Sequence, residues 1–478
     1  MTAQRPPVVI AGSGVAGLAA AYRLQRQQEL PFVVLEKDGQ VGGYSHTVRY
    51  KDFRFDLGGH RFYTKKAEIQ QLVEEVVGAD LLQVDRLSRI LFNGRFVNYP
   101  LSGMNTLAAL GPLGAAHGVL DYAAMKVKSV VRGHRPERTF EEWALNRFGD
   151  YLYRAYFKVY SEKTWGVACA ELSADFAEQR IKRLSFRAAV KDALFKKSDD
   201  ESLVRRFVYP RYGFGQIPDG MAAAVRAPNR ILTGHAVVGV EHEDGRLTAL
   251  VARTADGRTL RQPCCDLISS LAVTDLVPML RPAAPDGVIA AARQLTYRSV
   301  VVLLLILDVP QVSPDHWIYV PEPKIGFCRL HEPKNWSADM APAGRTALVL
   351  EYFCQEGDER WNQPADRLAR DAAEDLAGMG LIKTEWASDF TRVALPRAYP
   401  VYRVGYEAPL KIITDYIARF TNLYSIGRNA SFLYTSSDHY MDMGLKAAEN
   451  VLGHGHDLDR IGREQTYAEE WRKGEKGK

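Results

Sequence analysis

The apolar positions of this chain begin as a continuous run, residues 8–11 (VVIA), which leads into Gly-Ser-Gly-Val-Ala-Gly and then an alanine-rich stretch, residues 18–26, that reads as a helix. A second apolar run, residues 32–35 (FVVL), ends at Glu36. The order strand, G-x-G-x-x-G, helix, strand, acid predicts a dinucleotide site. Gly12 allows a tight turn, Gly14 lets the backbone approach a pyrophosphate, and Gly17 lets the helix pack close to the strand. The helix N-terminus offers amide donors and a positive dipole end to phosphates. Glu36 is suited to accept hydrogen bonds from ribose hydroxyls.

Further along, Gly42 and Gly43 permit another close backbone approach. Gly58, Gly59, His60 and Arg61 form a loop that fits either a cover over a flat cofactor or a plain hairpin turn. Residues 89–92 and 95–98 read as short strands about an Asn93-Gly94 turn. From 101 to about 206 the pattern is mostly helical, with a capping box at Thr139 and Glu142 and an aromatic stripe (Tyr151, Tyr153, Tyr156, Phe157, Tyr160) that reads as core packing. Residues 107–120 are apolar but interrupted by Gly111, Pro112, Gly114 and Gly118, which suits a helical lobe with possible surface contact better than a membrane anchor. Residues 209–215 read as a loop, 231–262 as an antiparallel meander, and 266–270 as a buried strand returning to the nucleotide sheet. Strands at 300–307, 316–320, 326–330, 347–352 and 388–394 predict a second, mostly antiparallel sheet. Helices are expected at 364–378, 410–420 and 441–452, the last preceded by Asp438, with a strand at 422–426.

Composition narrows the function classes. The 478 residues, 46% hydrophobic and 25% charged, suit a soluble protein of two or three lobes. A net charge of +5 without a basic block argues against a nucleic-acid partner. The longest apolar run, 300–307, is too short to span a bilayer. Five scattered cysteines have no metal-ligand spacing and imply reduced thiols, hence a cytoplasmic location. A fingerprint starting at residue 8 is expected to leave no room for a signal peptide.

Four further stretches carry a resemblance. Residues 152–166 (LYRAYFKVYSEKTWG), 183–187 (RLSFR), 327–336 (FCRLHEPKNW) and 427–434 (GRNASFLY), followed by Asp438-His439, resemble segments of the UDP-galactopyranose mutases within the FAD-dependent amine oxidase and protoporphyrinogen oxidase class. The likeness runs from residue 8 to about 453. It implies an α/β protein: a Rossmann-like FAD-binding domain built from 1–100, 207–272 and 415–465, a helical lobe at 101–206 and an antiparallel-sheet substrate domain at 273–414. Residues 466–478 would be a disordered tail.

The resemblance also implies roles. Gly12, Gly14, Val15, Ala16, Gly17, Glu36 and Lys37 would bind the ADP half of FAD, with Gly42 and Gly43 near the pyrophosphate. Gly59, His60 and Arg61 would lie against the isoalloxazine. Val238, Gly427, Arg428, Asp438 and Met443 would complete the cofactor site. Arg187 and Arg329 match two arginines that clamp a substrate diphosphate, a task suited to paired guanidinium forks, and Tyr399 and Tyr434 match phosphate-contacting tyrosines. His60, Arg187 and Arg329 form the implied catalytic set. Read without the resemblance, Arg329 is more often a buried structural arginine, Arg187 is equally part of a solvated helix face, Tyr399 is packing beside Pro400, and His60 fits a satisfied loop histidine. The implied reaction is interconversion of pyranose and furanose rings of a nucleoside-diphosphate sugar, in which N5 of reduced FAD attacks the anomeric carbon; NAD(P)H is a candidate reductant. The same fold also serves oxidases and desaturases that pass hydride to the flavin. One departure is plain: amine oxidases usually place arginine after the glycine pair that stands here as Gly42-Gly43, and in this chain that residue is Tyr44. Nothing in the sequence indicates a metal site or an oligomeric state.

Overall fold

A computed structural model describes residues 5–92, 94–99, 103–132, 136–180 and 206–463. Arg187, Asn93 and the tail beyond residue 463 lie outside the described residues. Among those described, no helix is long and apolar enough to cross a membrane.

A five-stranded parallel sheet carries the fingerprint. Its order is Leu423–Ser425, Leu267–Ser269, Val8–Ala11, Phe32–Leu35, Arg230–Leu232. Val8–Ala11 is buried on both faces, which is why it is continuously apolar rather than alternating. The strand at 267–269 returns to this sheet as expected. The helix Val15–Gln27 leaves Gly14 and packs against the helix Ser437–Val451. A Cβ on Gly444 would stand 2.1 Å from the Ala16 carbonyl oxygen, so the two helix backbones touch only because residue 444 is glycine. This last helix begins at Ser437 rather than at 441, so Asp438 sits in its first turn and does not precede it.

The meander is present as His235–Glu243, Arg246–Thr254 and Thr259–Pro263, antiparallel in sequence order. The expected loop at 209–215 begins only at Arg211. Tyr209 and Pro210 finish a strand, Arg206–Pro210, paired with Leu81–Asp85. Asp56 then fixes the loop: its carboxylate accepts from Thr47 Oγ1 (2.6 Å), Tyr209 Oη (2.6 Å) and the Phe214 amide (3.1 Å).

The second sheet has seven strands, ordered Ala387–Val401, Thr296–Leu307, Thr346–Cys354, Arg329–His331, Trp317–Tyr319, Ser88–Phe92, Arg95–Asn98. All pairs are antiparallel except Trp317–Tyr319 with Ser88–Phe92. The hairpin at 88–98 thus extends a sheet made largely of residues more than about 200 positions away. Ala387–Val401 is longer than the expected 388–394. Pro396 and Pro400 end the apparent strand in sequence, but the strand lies at the sheet edge, which tolerates proline: Pro396 falls where the register slips between Leu395 and Tyr399, and Pro400 stands opposite Tyr297.

The helical segment contains Gly103–Arg132, broken at Gly111 (φ 70°, ψ 172°), and Phe140–Leu152. The aromatic stripe packs as expected: Phe148 stacks on Phe157 and Phe92 on Tyr156, each at 4.5 Å. A π-helical turn, Tyr153–Lys158, sets these rings. The capping box at Thr139 is complete, with Thr139 Oγ1 accepting the Glu142 amide (3.1 Å) and Glu142 accepting the Thr139 amide (3.0 Å). Thr139→Ala removes one of these bonds at a cost of about 1 kcal/mol. Hydrogen exchange of the amides at 141–143 is then expected to quicken about fivefold, with flavin content unchanged.

Candidate active site

At the first glycine turn the three glycines are needed for different reasons. Gly12 has φ +98°, and a Cβ there would strike Ser270 Oγ at 2.2 Å. A Cβ on Gly17 would strike the Gly12 carbonyl oxygen at 2.0 Å. A Cβ on Gly14 would meet nothing within 4 Å, so the space beside Gly14 is open to a ligand. Gly42, at φ +103°, bridges to Gly14 and donates its amide to the Ser13 carbonyl (2.9 Å), bringing both glycine pairs to one place. A Cβ on Gly43 would lie 3.3 Å from the Gly14 Cα, so these two backbones are also close. Val15 and Ala16 are buried at the helix start, and Gly427 (φ +80°) packs over Ala16.

Glu36 is buried at the end of its strand. Its Oε2 accepts from the Ser13 amide (2.8 Å) and Ser13 Oγ (2.7 Å), and Oε1 from the Asp38 amide (2.9 Å). A carboxylate offers about four acceptor positions, so roughly one remains for a ribose hydroxyl. Lys37 beside it is exposed. Val238 falls where the register of the meander slips between Val237 and Gly239, so it lies at the irregularity rather than in the ladder. The open Gly14, the joined glycine pairs and the residual capacity of Glu36 fit the dinucleotide half of a flavin cofactor.

The other half of the site is a narrow cavity where Tyr44, His60, Glu351, Tyr399 and Arg428 meet. The Tyr44 hydroxyl donates to the Pro396 carbonyl, tying the glycine loop to the edge strand. Arg428 donates to the Ala398 carbonyl (2.8 Å) and to Tyr440 Oη (3.2 Å), with its guanidinium 4.8 Å from the Tyr399 ring and 5.4 Å from the Tyr434 ring. Asp438 is buried and accepts from Ser436 Oγ at 2.5 Å; Met443 is buried further along the same helix.

His60 Nδ1 lies 3.1 Å from the Gly58 carbonyl oxygen, and its ring packs 5.1 Å from Phe214. Burial pushes its pKa down to about 4, with the charge of Arg428 adding to the effect. His60 is therefore neutral at pH 7, its Nδ1–H turned to the carbonyl and its Nε2 an acceptor. The folded pKa lies below the ordinary 6.5, so the folded chain binds fewer protons there. The contribution is whole above about pH 6.5 and is lost as pH falls through about 4. His60→Gln is expected to flatten the fall in Tm of the flavin-free protein between pH 7 and 4; a slope identical to the parent's would refute a neutral ring at this half-buried position. Arg61 is half-buried in the same loop. Gly59 has a role the sequence did not reveal: the Trp317 ring occupies the space of its missing Cβ, 1.1 Å from the ideal position.

Arg329 reaches the same region, but it is not a free cation. It stands opposite Glu351 in the ladder and donates Nη2 to the Glu351 carboxylate. Its Nη2 is also 3.3 Å from Tyr399 Oη, and its guanidinium lies 4.8 Å from the Phe353 ring and 5.1 Å from the Trp317 ring. Burial raises the Glu351 pKa, and Arg329 opposes that rise. Among the described residues, Arg329 Nε, Trp317 Nε1 and His331 Nδ1 find no hydrogen-bond partner although buried. Donors left without a protein partner here are available to a ligand or to ordered water. His331, stacked on Trp317 at 5.8 Å, is pushed by burial down to about 3 and is also neutral.

The segment 152–166 builds the remaining wall. Lys163 Nζ donates to the carbonyls of Val320 (3.0 Å), Glu322 (3.1 Å) and Phe327 (2.6 Å). Arg298 donates Nε to the Thr164 carbonyl (3.0 Å) and packs where a Gly166 side chain would be. So anchored, Trp165 meets the rings of Tyr434 (5.8 Å) and Tyr399 (6.2 Å) edge-on. Tyr399 and Tyr434 are themselves edge-to-face at 4.9 Å. Glu351, Trp317 and Trp165 are thus site residues that sequence reasoning missed. Glu351 had a local signal, as the one charge in the run TALVLEYFC, and Trp165 stood within the stretch 152–166 already singled out.

The comparisons agree with this geometry. The profile of a family described as flavin containing amine oxidoreductase matches residues 15–428. A probable UDP-galactopyranose mutase of Klebsiella pneumoniae is 27% identical over 194 residues, 39% of this chain and 47% of that protein. Human flavin-containing amine oxidase B is 33% identical over 97 residues, 20% of this chain and 18% of that protein. The chain therefore matches less than half the length of these relatives. A crystal structure of reduced UDP-galactopyranose mutase is similar at a TM-score of 0.83, with 21% identity and 98% of each chain covered. A putative protoporphyrinogen oxidase from Exiguobacterium is similar at 0.71, with 19% identity, 94% of this chain and 99% of that one. Putrescine oxidase bound to putrescine is similar at 0.63, with 15% identity, 94% of this chain and all of that one. At these identities the structural likeness establishes the fold.

Proposed function

The chain belongs to the flavin-containing amine oxidoreductase family, so its cofactor is FAD, and on that premise we propose that it is a mutase that rearranges the sugar ring of a nucleoside-diphosphate sugar. The observation that carries this reading is the charge of the aromatic cavity. Two guanidiniums, Arg329 and Arg428, face one carboxylate, Glu351, and the histidines His60 and His331 are neutral. The surplus is positive, which favours an anion and disfavours an alkylammonium substrate. When bound and reduced, the flavin supplies the nucleophile for such chemistry. The chain supplies the rest. The hydroxyls of Tyr399 and Tyr434 and the unpartnered Arg329 Nε are donors for diphosphate oxygens, with Arg187 proposed as the second fork. The rings of Trp165, Tyr399 and Tyr434 exclude water from the reacting sugar.

A second reading rests on the Arg329–Glu351 pair. With Arg329 neutralised by Glu351 and Arg428 held by the Ala398 carbonyl and the rings of Tyr399, Tyr434 and Tyr440, the site suits an uncharged substrate, and the enzyme is an oxidoreductase that delivers substrate hydride to the flavin. One experiment separates the two. The flavin-loaded protein, photoreduced without oxygen, is offered a panel of nucleotide sugars; the expected result is a new isomer of one of them by chromatography, with no net flavin oxidation. No isomer from any sugar, together with oxygen uptake on an amine or a polyene, would replace the mutase reading with the oxidative one. The reductant proposed for the working enzyme is NAD(P)H.

A further inference from the structure

The part of the helix Gly103–Arg132 that follows the break at Gly111 is amphipathic in the wrong sense for water. Its small residues face inward: Gly118 packs on Leu152 and Tyr151, and a Cβ on Gly114 would stand 2.7 Å from Tyr151 Oη. Its large apolar residues face outward. Of the nine large hydrophobic side chains exposed among the described residues, six are here: Leu113, Val119, Leu120, Val127, Val130 and Val131, each between 42% and 89% exposed. The other three, Tyr212, Val404 and Ile412, lie on other elements. A contiguous apolar surface of this kind marks an interaction site.

The charges point to its occupant. The one acid in the helix, Asp121, is turned inward and accepts the Tyr151 amide at 2.9 Å. Lys128 is exposed and Lys126 half-exposed, the latter with its ammonium 5.4 Å from the Tyr122 ring. Apolar side chains flanked by lysines, with no acid exposed between them, match an interface of acyl chains and anionic headgroups. A second copy of the same face would set lysines against lysines. The helix is not apolar enough to cross a bilayer, and the stretch from Pro112 to Arg132 gives it a length of about 30 Å for lying flat.

We propose that this helix docks the protein on the surface of an anionic phospholipid bilayer, with Leu113, Leu120, Val127 and Val131 entering the acyl boundary and Lys126 and Lys128 meeting phosphate headgroups. The reaction at the flavin then takes place beside a membrane. This inference does not depend on whether the flavin site is a mutase or an oxidase.

The test is sedimentation of the flavin-loaded full chain with vesicles of phosphatidylcholine alone or mixed with phosphatidylglycerol. At least about tenfold more protein is expected to pellet with the mixed vesicles, and the excess is expected to fall as salt rises. The paired substitution Leu120→Glu and Val127→Glu, both on exposed positions, is expected to abolish pelleting while flavin content and Tm stay at the parent values. Lys126→Glu with Lys128→Glu is expected to remove only the preference for anionic lipid. Failure of the parent to pellet with either vesicle overturns the proposal. So does pelleting that survives the glutamate pair, or a dimer on size exclusion that the glutamate pair dissociates, since the face would then be covered by a second copy.

Discussion

Gly14→Ala is expected to give a folded but colourless protein, and Gly17→Ala a protein destabilised before any cofactor is considered. The two glycines are three residues apart and look alike in the fingerprint, but their surroundings differ. Gly14 has φ −66° and ψ 174°, a conformation alanine adopts without strain, and nothing lies within 4 Å of the position its Cβ would take. A methyl there costs the fold almost nothing and projects into the space open beside the turn. If the pyrophosphate occupies that space, flavin affinity falls at least about tenfold, a loss of about 1.4 kcal/mol or more, while the Tm of the flavin-free protein is unchanged. At Gly17 the same methyl meets the Gly12 carbonyl oxygen at 2.0 Å. That oxygen belongs to a backbone already held at φ +98°, so it has little room to yield. Overpacking of this kind costs about 1–3 kcal/mol, and the Tm of the flavin-free protein is expected to fall. Visible flavin absorbance per mole of protein, with a melt of the stripped form, distinguishes the two. Retention of flavin at parental affinity by Gly14→Ala would mean that the pyrophosphate lies elsewhere.

The same contrast explains what was readable in the chain. The turn from residue 8 to 17 is legible because its constraints are local: a strand, a positive φ and a close helix approach all act within this one short segment. Glu36 is legible because it ends the next strand. The capping box at Thr139 is legible because both its bonds span three positions. Gly59 is half-legible. A glycine pair announces close approach, but that the approaching group includes the Trp317 ring is set by a contact between segments far apart in the chain. Glu351 is harder still. The strand Thr346–Cys354 is buried throughout, so apolar residues do not alternate and its single acid has no face assigned by period. Only the ladder, which sets Glu351 opposite Arg329, gives it a partner. The late end of the edge strand follows from its place at the sheet edge, which outweighs the local break signals of Pro396 and Pro400.

Glu351→Gln is expected to tighten the binding of a nucleoside diphosphate, and Arg329→Met to abolish it. The two groups form a buried pair whose charges largely cancel. At contact distance and an effective dielectric constant of about 20, such a pair is worth up to about 4 kcal/mol of Coulomb energy, which an incoming anion has to compete with for the guanidinium. Glutamine keeps the shape of the side chain and an acceptor oxygen for Arg329 Nη2 but removes the negative charge. The anion then meets an uncancelled guanidinium, and UDP is expected to bind about tenfold more tightly to the flavin-loaded protein by titration calorimetry. Arg329→Met leaves the Glu351 carboxylate buried without its cation. Burial already raises that carboxyl's pKa and Arg329 is what opposes it, so the variant either takes up a proton there or loses about 3–5 kcal/mol of stability. In both cases a donor for the diphosphate is gone and a group that repels or ignores it remains, so UDP affinity is expected to fall more than about a hundredfold. The double variant, Glu351→Gln with Arg329→Met, separates charge from shape: the fold recovers, because no unpaired charge is buried, but UDP binding does not. Equal weakening of UDP binding by the two single variants would make the pair a structural tie, and the oxidative reading of the site would then take precedence.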